Sequence, residues 1–145
     1  MMRLKAVLVW LSGLLLMSVL LSGCSTKLVS DYDERSIVQL EMIDKKINRM
    51  YLTMQYQPEK ERTYAQFQSN YLDIDVDIRS YQRRQQVRDM NNESRKQADI
   101  LADLWQQDMQ THKQKNILSD FIIKRRKAQY QRLISTMIEA EMAKK

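Results

Sequence analysis

Apolar residues recur at alternating spacings of three and four along most of the chain after residue 30. Because an α-helix turns once every 3.6 residues, side chains at this spacing form one stripe along a helix. Gln57 and Pro58 predict the end of the first helix, since the residue before a proline is pushed out of the helical region. Ser30 or Asp31 is placed to cap its beginning. The first stripe consists of Leu40, Ile43, Ile47, Met50 and Met54.

A second stripe at the same spacing is largely aromatic and predicts a second helix. Within it, residues 72–78 alternate strictly between apolar and acidic, a pattern that also suits a half-buried strand. We favour the helix, because the three-four spacing continues on both sides of this run and no glycine turn brackets it. The stripe contains Tyr64, Phe67, Tyr71, Ile74, Ile78 and Tyr81.

Two more amphipathic helices are predicted after a break at residues 91–94. Ser94 and Gln97 form a possible capping box at the start of a shorter third helix. Residues 111–119 are polar and are expected to contain another turn. The third stripe contains Ala98, Leu101, Leu104, Trp105 and Met109. The last contains Phe121, Ile122, Ile123, Tyr130, Leu133, Ile134, Met137 and Ile138.

The expected fold class is all-α, with about four amphipathic helices over residues 31–145. Both glycines, Gly13 and Gly23, precede this region, and it has one proline. Hairpins and open sheets normally need glycine turns, so helices are favoured. The stripes suit either a compact antiparallel bundle or an extended coiled coil, which could form within one chain or between copies. The break at residues 91–94 favours a bundle or coiled-coil hairpins.

The first residues carry a targeting signal. Arg3 and Lys5 precede an apolar run over residues 6–21, and the tetrad Leu21-Ser22-Gly23-Cys24 follows it. This arrangement resembles a bacterial lipoprotein signal peptide ending in a lipobox. The resemblance implies that residues 1–23 are removed, that Cys24 is acylated, and that residues 24–30 are a tether. The alternative is a retained helix, but sixteen residues span roughly 24 Å, less than the ~30 Å hydrocarbon core.

The resemblance also implies a location. Two or more acyl chains give stable membrane attachment. Ser25, rather than aspartate, follows the cysteine. In enteric-type bacteria this implies the outer membrane and a domain facing the periplasm, with the inner membrane as the lesser alternative. Because Cys24 is the only cysteine, its acylation leaves no thiol for a disulfide.

Residues that could carry chemistry are few, and neither catalysis nor a metal or other cofactor beyond the acyl lipid is expected. Asp73, Asp75 and Asp77 resemble the start of a calcium loop, but Ile78 and Arg84 occupy the positions that need glycine and glutamate. These aspartates are expected on a solvated face. His112, the only histidine, is expected at a solvated helix end, with no second histidine or thiol for zinc.

Charge suggests a possible surface contact. The chain carries a net charge of +6, which falls to +4 when Arg3 and Lys5 are removed with the signal. A run of four cations without an acid is expected to lie on an exposed helix face or to attract anionic head groups, lipopolysaccharide or an acidic partner. A periplasmic location argues against nucleic acid. The run is Lys124, Arg125, Arg126 and Lys127.

The aromatic stripe gives a hypothesis about partner binding. Tyrosine is common at interfaces, and three tyrosines on one seam are hydroxyl-rich for a dry core. We therefore expect Tyr64, Phe67, Tyr71 and Tyr81, with Tyr51 and Tyr56, to form partly a docking surface. The expected function is that of an accessory or scaffold subunit bound to an envelope protein assembly.

The runner-up function is a self-associating structural lipoprotein that contacts peptidoglycan. The chain resembles the major murein lipoprotein of enteric bacteria in its lipobox, its heptads and its last residue, Lys145. That resemblance implies a possible covalent link from Lys145 to peptidoglycan. A lysine at a helix end also has an ordinary explanation, since it complements the helix dipole.

Overall fold

A computed structural model describes residues 28–145, so the predicted signal peptide and lipobox, with Cys24, lie outside the described residues. The described chain folds into four long α-helices. A short 3₁₀ turn, Glu59–Glu61, lies between the first two. The helices are α1 (Glu34–Tyr56), α2 (Tyr64–Gln86), α3 (Asn92–Lys115) and α4 (Asp120–Met142).

The four helices form an antiparallel bundle in which each packs against the next and α4 returns to α1. The contact between α3 and α4 is the least extensive. This architecture confirms the all-α bundle predicted from the stripes. Residues 72–78 are helical, so the strand alternative is wrong.

The core consists mainly of the predicted apolar stripes. All five residues of the first stripe are at most 2 % exposed. The second stripe is also buried, apart from Tyr64 at its start. Because each stripe occupies one side of its helix, four helices can bury them against one another in a single core.

Two predicted caps are wrong. The residue before α1 is Asp33, whereas Ser30 is buried elsewhere and Asp31 precedes the helix. The residue before α3 is Asn91, so Ser94 lies inside the first turn and does not form the expected capping box. Gln57 does end α1 in an extended conformation, as the following proline predicted.

The third helix is longer than predicted, because its buried seam continues with polar residues. Trp105, Asp108 and His112 follow one another at the same three-four spacing, and all three are buried. The helix ends at Asn116, which adopts a left-handed conformation with φ of 62°. Asparagine tolerates this conformation better than most residues, and its backbone N–H donates to the carbonyl of His112 at 2.7 Å.

No helix within residues 28–145 is both long and apolar enough to cross a membrane.

We predict that Ile47→Ala destabilises the bundle by about 3 kcal/mol, because truncating a fully buried side chain leaves a cavity. The free energy of unfolding in urea measures this loss. The matched control is Val38→Ala on the outer face of the same helix, where the side chain is 57 % exposed. That change is expected to shift stability by no more than about 0.5 kcal/mol. Equal losses in the two variants would contradict the assignment of faces in α1.

Candidate docking surface

Most of the predicted docking stripe lies inside the bundle. Phe67, Tyr71 and Tyr81 are at most 3 % exposed, and Tyr64 is half-buried. The Tyr71 ring packs against Trp105 with their centroids 5.1 Å apart. In the folded chain these residues are therefore core, which corrects the expectation that they form a docking surface.

The hydroxyl groups in the core are used by buried polar partners. Tyr51 and Tyr130 donate to Oδ2 of Asp108 at 3.2 and 2.8 Å. Arg126 pairs with the other carboxylate oxygen, with 2.8 Å between Nε and Oδ1. Burial raises the pKa of Asp108, and the Tyr130 hydroxyl and Arg126 oppose that rise. A tyrosine-rich core is thus compatible with folding, because its hydroxyls solvate a buried carboxylate.

His112 is buried rather than solvated, which corrects a second expectation. Its Nε2 lies 2.9 Å from the backbone carbonyl of Arg62, and its Nδ1 lies 3.1 Å from the Tyr71 hydroxyl. A carbonyl only accepts hydrogen bonds, so Nε2 must carry a proton and donate. Nδ1 then accepts from Tyr71 in the neutral ring. Burial lowers the pKa of His112, which favours this neutral form.

The Arg62 side chain joins the end of α1 to the start of α4. Its guanidinium donates twice to the carbonyl of Gln57, at 2.8 and 3.0 Å. It also pairs with Asp120 at 2.7 Å. Tyr56 precedes Gln57 and Phe121 follows Asp120, so these two aromatic residues lie at the same end of the bundle.

Tyr56 and Phe121 are the two aromatic residues that the described chain leaves largely exposed, at 84 % and 70 %. Lys124 and Arg125, on the turn of α4 that follows Phe121, are also exposed. We call these four residues the distal surface, because they lie at the end of the bundle opposite Ser30. Aromatic residues and arginine are enriched among the residues that anchor protein interfaces.

The basic run divides into exposed and structural residues. Lys124 and Arg125 face solvent, and Lys127 is half-buried. Arg126 points toward the core, where it pairs with Asp108. The expectation of one continuous four-residue patch is therefore wrong, since only Lys124 and Arg125 are fully presented.

The chain enters the bundle at the opposite end, which we call the proximal end. There Ser30 is 5 % exposed. Its backbone N–H donates to the carbonyl of Met90 at 3.0 Å, and its hydroxyl donates to Asn91 at 2.8 Å. Glu141 accepts from Arg88 at 2.9 Å and from Lys144 at 2.7 Å. Burial raises the pKa of Glu141, but the hydrogen bonds from Arg88 and Lys144 prevail and lower it.

The two C-terminal lysines differ in environment. Lys144 Nζ donates to the hydroxyls of Ser30 and Ser94, both at 2.9 Å. Lys145 is exposed, and its Nζ lies 4.9 Å from the centroid of the Tyr32 ring. The C-terminus therefore lies beside the point where the chain enters the bundle.

The aspartates that suggested a calcium loop are held by cations. Lys46 pairs with Asp73 at 2.8 Å and with Asp77 at 2.7 Å, which links α1 to α2. Asp75 pairs with Arg79 at 2.7 Å. Across residues 28–145 no group of three or more histidine, cysteine or acidic side chains is arranged to hold a metal ion.

A shallow cleft of about 550 Å³ opens at the proximal end beside Arg84 and Arg88. Arg84 pairs with Asp33 at 2.6 Å. Hydrogen bonding from Arg84 lowers the pKa of Asp33 against the opposing effect of burial. Because these arginines are occupied by Asp33 and Glu141, the cleft does not present free charge to an anionic ligand.

Comparison with known proteins gives no match: no family model, no curated protein and no solved structure is similar to the chain.

We predict that His112 makes the bundle acid-sensitive. A lowered pKa means that the unfolded chain binds more protons than the folded chain below the ordinary pKa of about 6.5. The free energy of unfolding should therefore fall as the pH drops below about 6.5. In His112→Gln this fall should be smaller between pH 6.5 and 5, because glutamine does not titrate and its amide can still donate to Arg62.

Other titratable groups also change the free energy of unfolding with pH. The difference between wild type and variant therefore isolates the contribution of His112. The lowered pKa values of Asp33 and Glu141 remove stability as the pH falls below about 4. The raised pKa of Asp108 has the opposite effect, because protonation of this carboxylate adds stability as the pH falls. Urea unfolding at several pH values measures the slopes. Identical slopes for both proteins would show that His112 is not held neutral.

We predict that the adjacent lysines contribute unequally to stability. Lys144→Met should cost about 2 kcal/mol, because Glu141, Ser30 and Ser94 lose a charged partner in a partly buried site. Lys145→Met is the matched control and should cost less than about 1 kcal/mol, since it removes only a contact with one ring. Thermal and urea unfolding measure both. A larger loss in Lys145→Met would contradict the arrangement of the proximal end.

Proposed function

We propose that the protein is a lipid-anchored, periplasm-facing adaptor that binds an envelope protein assembly at the outer membrane. The lipobox ending in Cys24 supports the anchor. The observation that carries the proposal is the opposition of the two ends. The chain enters the bundle at Ser30, whereas the exposed aromatic side chains Tyr56 and Phe121 lie at the other end.

The tether supports a defined orientation of the bundle. The six residue-to-residue steps from Cys24 to Ser30 span at most about 20 Å. A helix of 23 residues such as α1 is about 35 Å long. The proximal end is therefore held near the membrane, and the distal surface is free to point away from it. Acylation of Cys24 therefore raises the effective concentration of the distal surface near membrane-bound partners.

The chemistry of the distal surface favours an acidic protein segment as its partner. Tyr56 and Phe121 offer rigid apolar area, and aromatic side chains commonly dominate the energy of an interface. Lys124 and Arg125 form no ion pair with any residue among those the structure describes. Carboxylates on the partner would be steered toward these cations.

The alternative is a self-associating structural lipoprotein that contacts peptidoglycan. Lys145 follows Lys144, whose Nζ is 2.9 Å from the Ser30 hydroxyl. A peptidoglycan link at Lys145 would thus lie at the same end as the lipid anchor. Such a molecule would not use the length of its bundle to separate membrane from peptidoglycan. We therefore rank the adaptor first, and we assign no catalytic residue and no cofactor beyond the acyl lipid.

In-cell photocrosslinking tests the adaptor. A photoreactive phenylalanine analogue in place of Phe121 is expected to capture a discrete envelope protein. The same analogue in place of Val76, which is 63 % exposed on the side of α2, is expected to capture much less. Cys24→Ser should abolish capture, because the acyl anchor is lost. Adducts only with a second copy or with peptidoglycan fragments would contradict the adaptor and support the structural lipoprotein.

A charge reversal separates the surface from the anchor. The double variant Lys124→Glu and Arg125→Glu should reduce capture several-fold while the circular dichroism spectrum is unchanged. The matched control reverses two other exposed cations, Arg95→Glu and Arg132→Glu, and thereby makes the same change in net charge. Equal capture by the two double variants would mean that the distal cations do not contact the partner.

A further inference from the structure

We infer that the proximal end is seated on the membrane surface by a group of exposed apolar side chains around the point where the chain enters the bundle. This inference rests on the proposed acylation of Cys24 and adds a second contact with the bilayer. We call the four side chains the seating surface. They are Leu28, Val29, Val87 and Met90, which are 83 %, 57 %, 82 % and 55 % exposed.

Hydrogen bonds join the two segments that carry these side chains, which are the incoming chain and the turn after α2. Ser30, which follows Val29, donates its backbone N–H to the carbonyl of Met90 at 3.0 Å. The Asn91 side chain donates to the carbonyl of Gln85 at 3.0 Å, which secures the turn that contains Val87. A cleft of about 360 Å³ lies between the incoming chain and this turn. The apolar side chains are thus presented by an ordered part of the fold.

Met90 provides a separate indication that the surface serves an external contact. Its backbone has φ of 53°, in the left-handed region that glycine and asparagine adopt most readily. A methionine is unfavourable in this conformation, and more than half of its side chain is not buried by the protein. Folding alone therefore does not explain a large apolar residue at this position.

The length of the tether identifies the bilayer as the occupant. The six residue-to-residue steps from Cys24 to Ser30 keep Ser30, which adjoins the seating surface, within about 20 Å of the acylated residue. Large apolar side chains at that distance can insert into the boundary between head groups and acyl chains. Asp89 and Glu93 are exposed at this end together with Arg83 and Arg95. The mixed charge indicates that the contact is apolar and does not need anionic lipid.

Tryptophan fluorescence in vesicles tests the seating. Trp105 is fully buried, and Trp10 belongs to the signal peptide, so a new surface tryptophan is readily distinguished. The acylated protein, which begins at Cys24 and carries Val87→Trp, is placed in phosphatidylcholine vesicles that contain brominated phosphatidylcholine. We expect the bromine atoms to quench most of the fluorescence of the introduced tryptophan. The quenching should persist in roughly 0.5 M salt, which screens surface charges.

The matched control is Phe121→Trp at the distal end, where the native side chain is 70 % exposed. Its emission should not be quenched. Flotation of both variants with the vesicles, and the mass of the acylated protein, report the anchor independently. Flotation without selective quenching at Val87 would overturn the seating and leave the anchor intact. Absence of acylation and flotation would overturn the proposed anchor and this inference with it.

Met90→Gly separates seating from folding. Because glycine adopts φ of 53° freely, this variant should unfold at a temperature no lower than that of the wild type. In the Val87→Trp background it should nevertheless reduce the quenching by brominated lipid. Asn116→Gly makes the same backbone change at the other left-handed residue, at the distal end, and should leave the quenching unchanged. Unchanged quenching in Met90→Gly would remove Met90 from the seating surface.

Discussion

Glu141 is the residue on which the proximal end depends. Its carboxylate is buried, and it accepts from the backbone N–H of Asp33 just before α1, from Arg88 after α2, and from Lys144 after α4. A buried charge without partners is strongly destabilising, so these hydrogen bonds must form together when the bundle closes. They fix the direction in which the chain enters. Any attachment before residue 28 is thereby held to one defined end.

The distal end is fixed by a second set of buried polar groups. Arg62 joins the end of α1 to the start of α4, and its backbone carbonyl accepts a hydrogen bond from His112. Asp108 is solvated by two tyrosine hydroxyls and Arg126. Tyr56 and Phe121 lie at this end and are exposed. The bundle therefore differs in chemistry at its two ends, which suits an adaptor better than a uniform rod.

The apolar stripes could be predicted from the sequence because their spacing depends only on helix geometry. The apolar spacing alone predicted too short an α3, because Asp108 and His112 continue its buried seam with polar side chains. Hydropathy does not distinguish a buried histidine from a solvated one. The partners that distinguish them, Tyr71 and the Arg62 carbonyl, are more than forty residues away along the chain.

The proposed docking surface was harder to predict for a related reason. A hydroxyl-rich stripe is unusual in a dry core, so tyrosines such as Tyr71 were expected at the docking surface. The structure buries them around Asp108 and His112 and instead exposes Phe121, which belongs to an apolar helix face. The exposure of Phe121 depends on how the start of α4 packs beside Arg62. Tertiary packing of this kind cannot be inferred from the local spacing of apolar residues. The pairing of Arg126 with Asp108 was hidden in the same way.

Neutron reflectometry of the acylated protein on a supported bilayer tests the central claim, that the bundle is anchored at its proximal end and directs its distal surface away from the membrane. An upright bundle predicts a protein layer about 35 Å thick, the length of one helix. A bundle lying on its side would give about 20 Å, the width of two helices. A thick layer would support the account. A thin layer, or no layer at all, would contradict it.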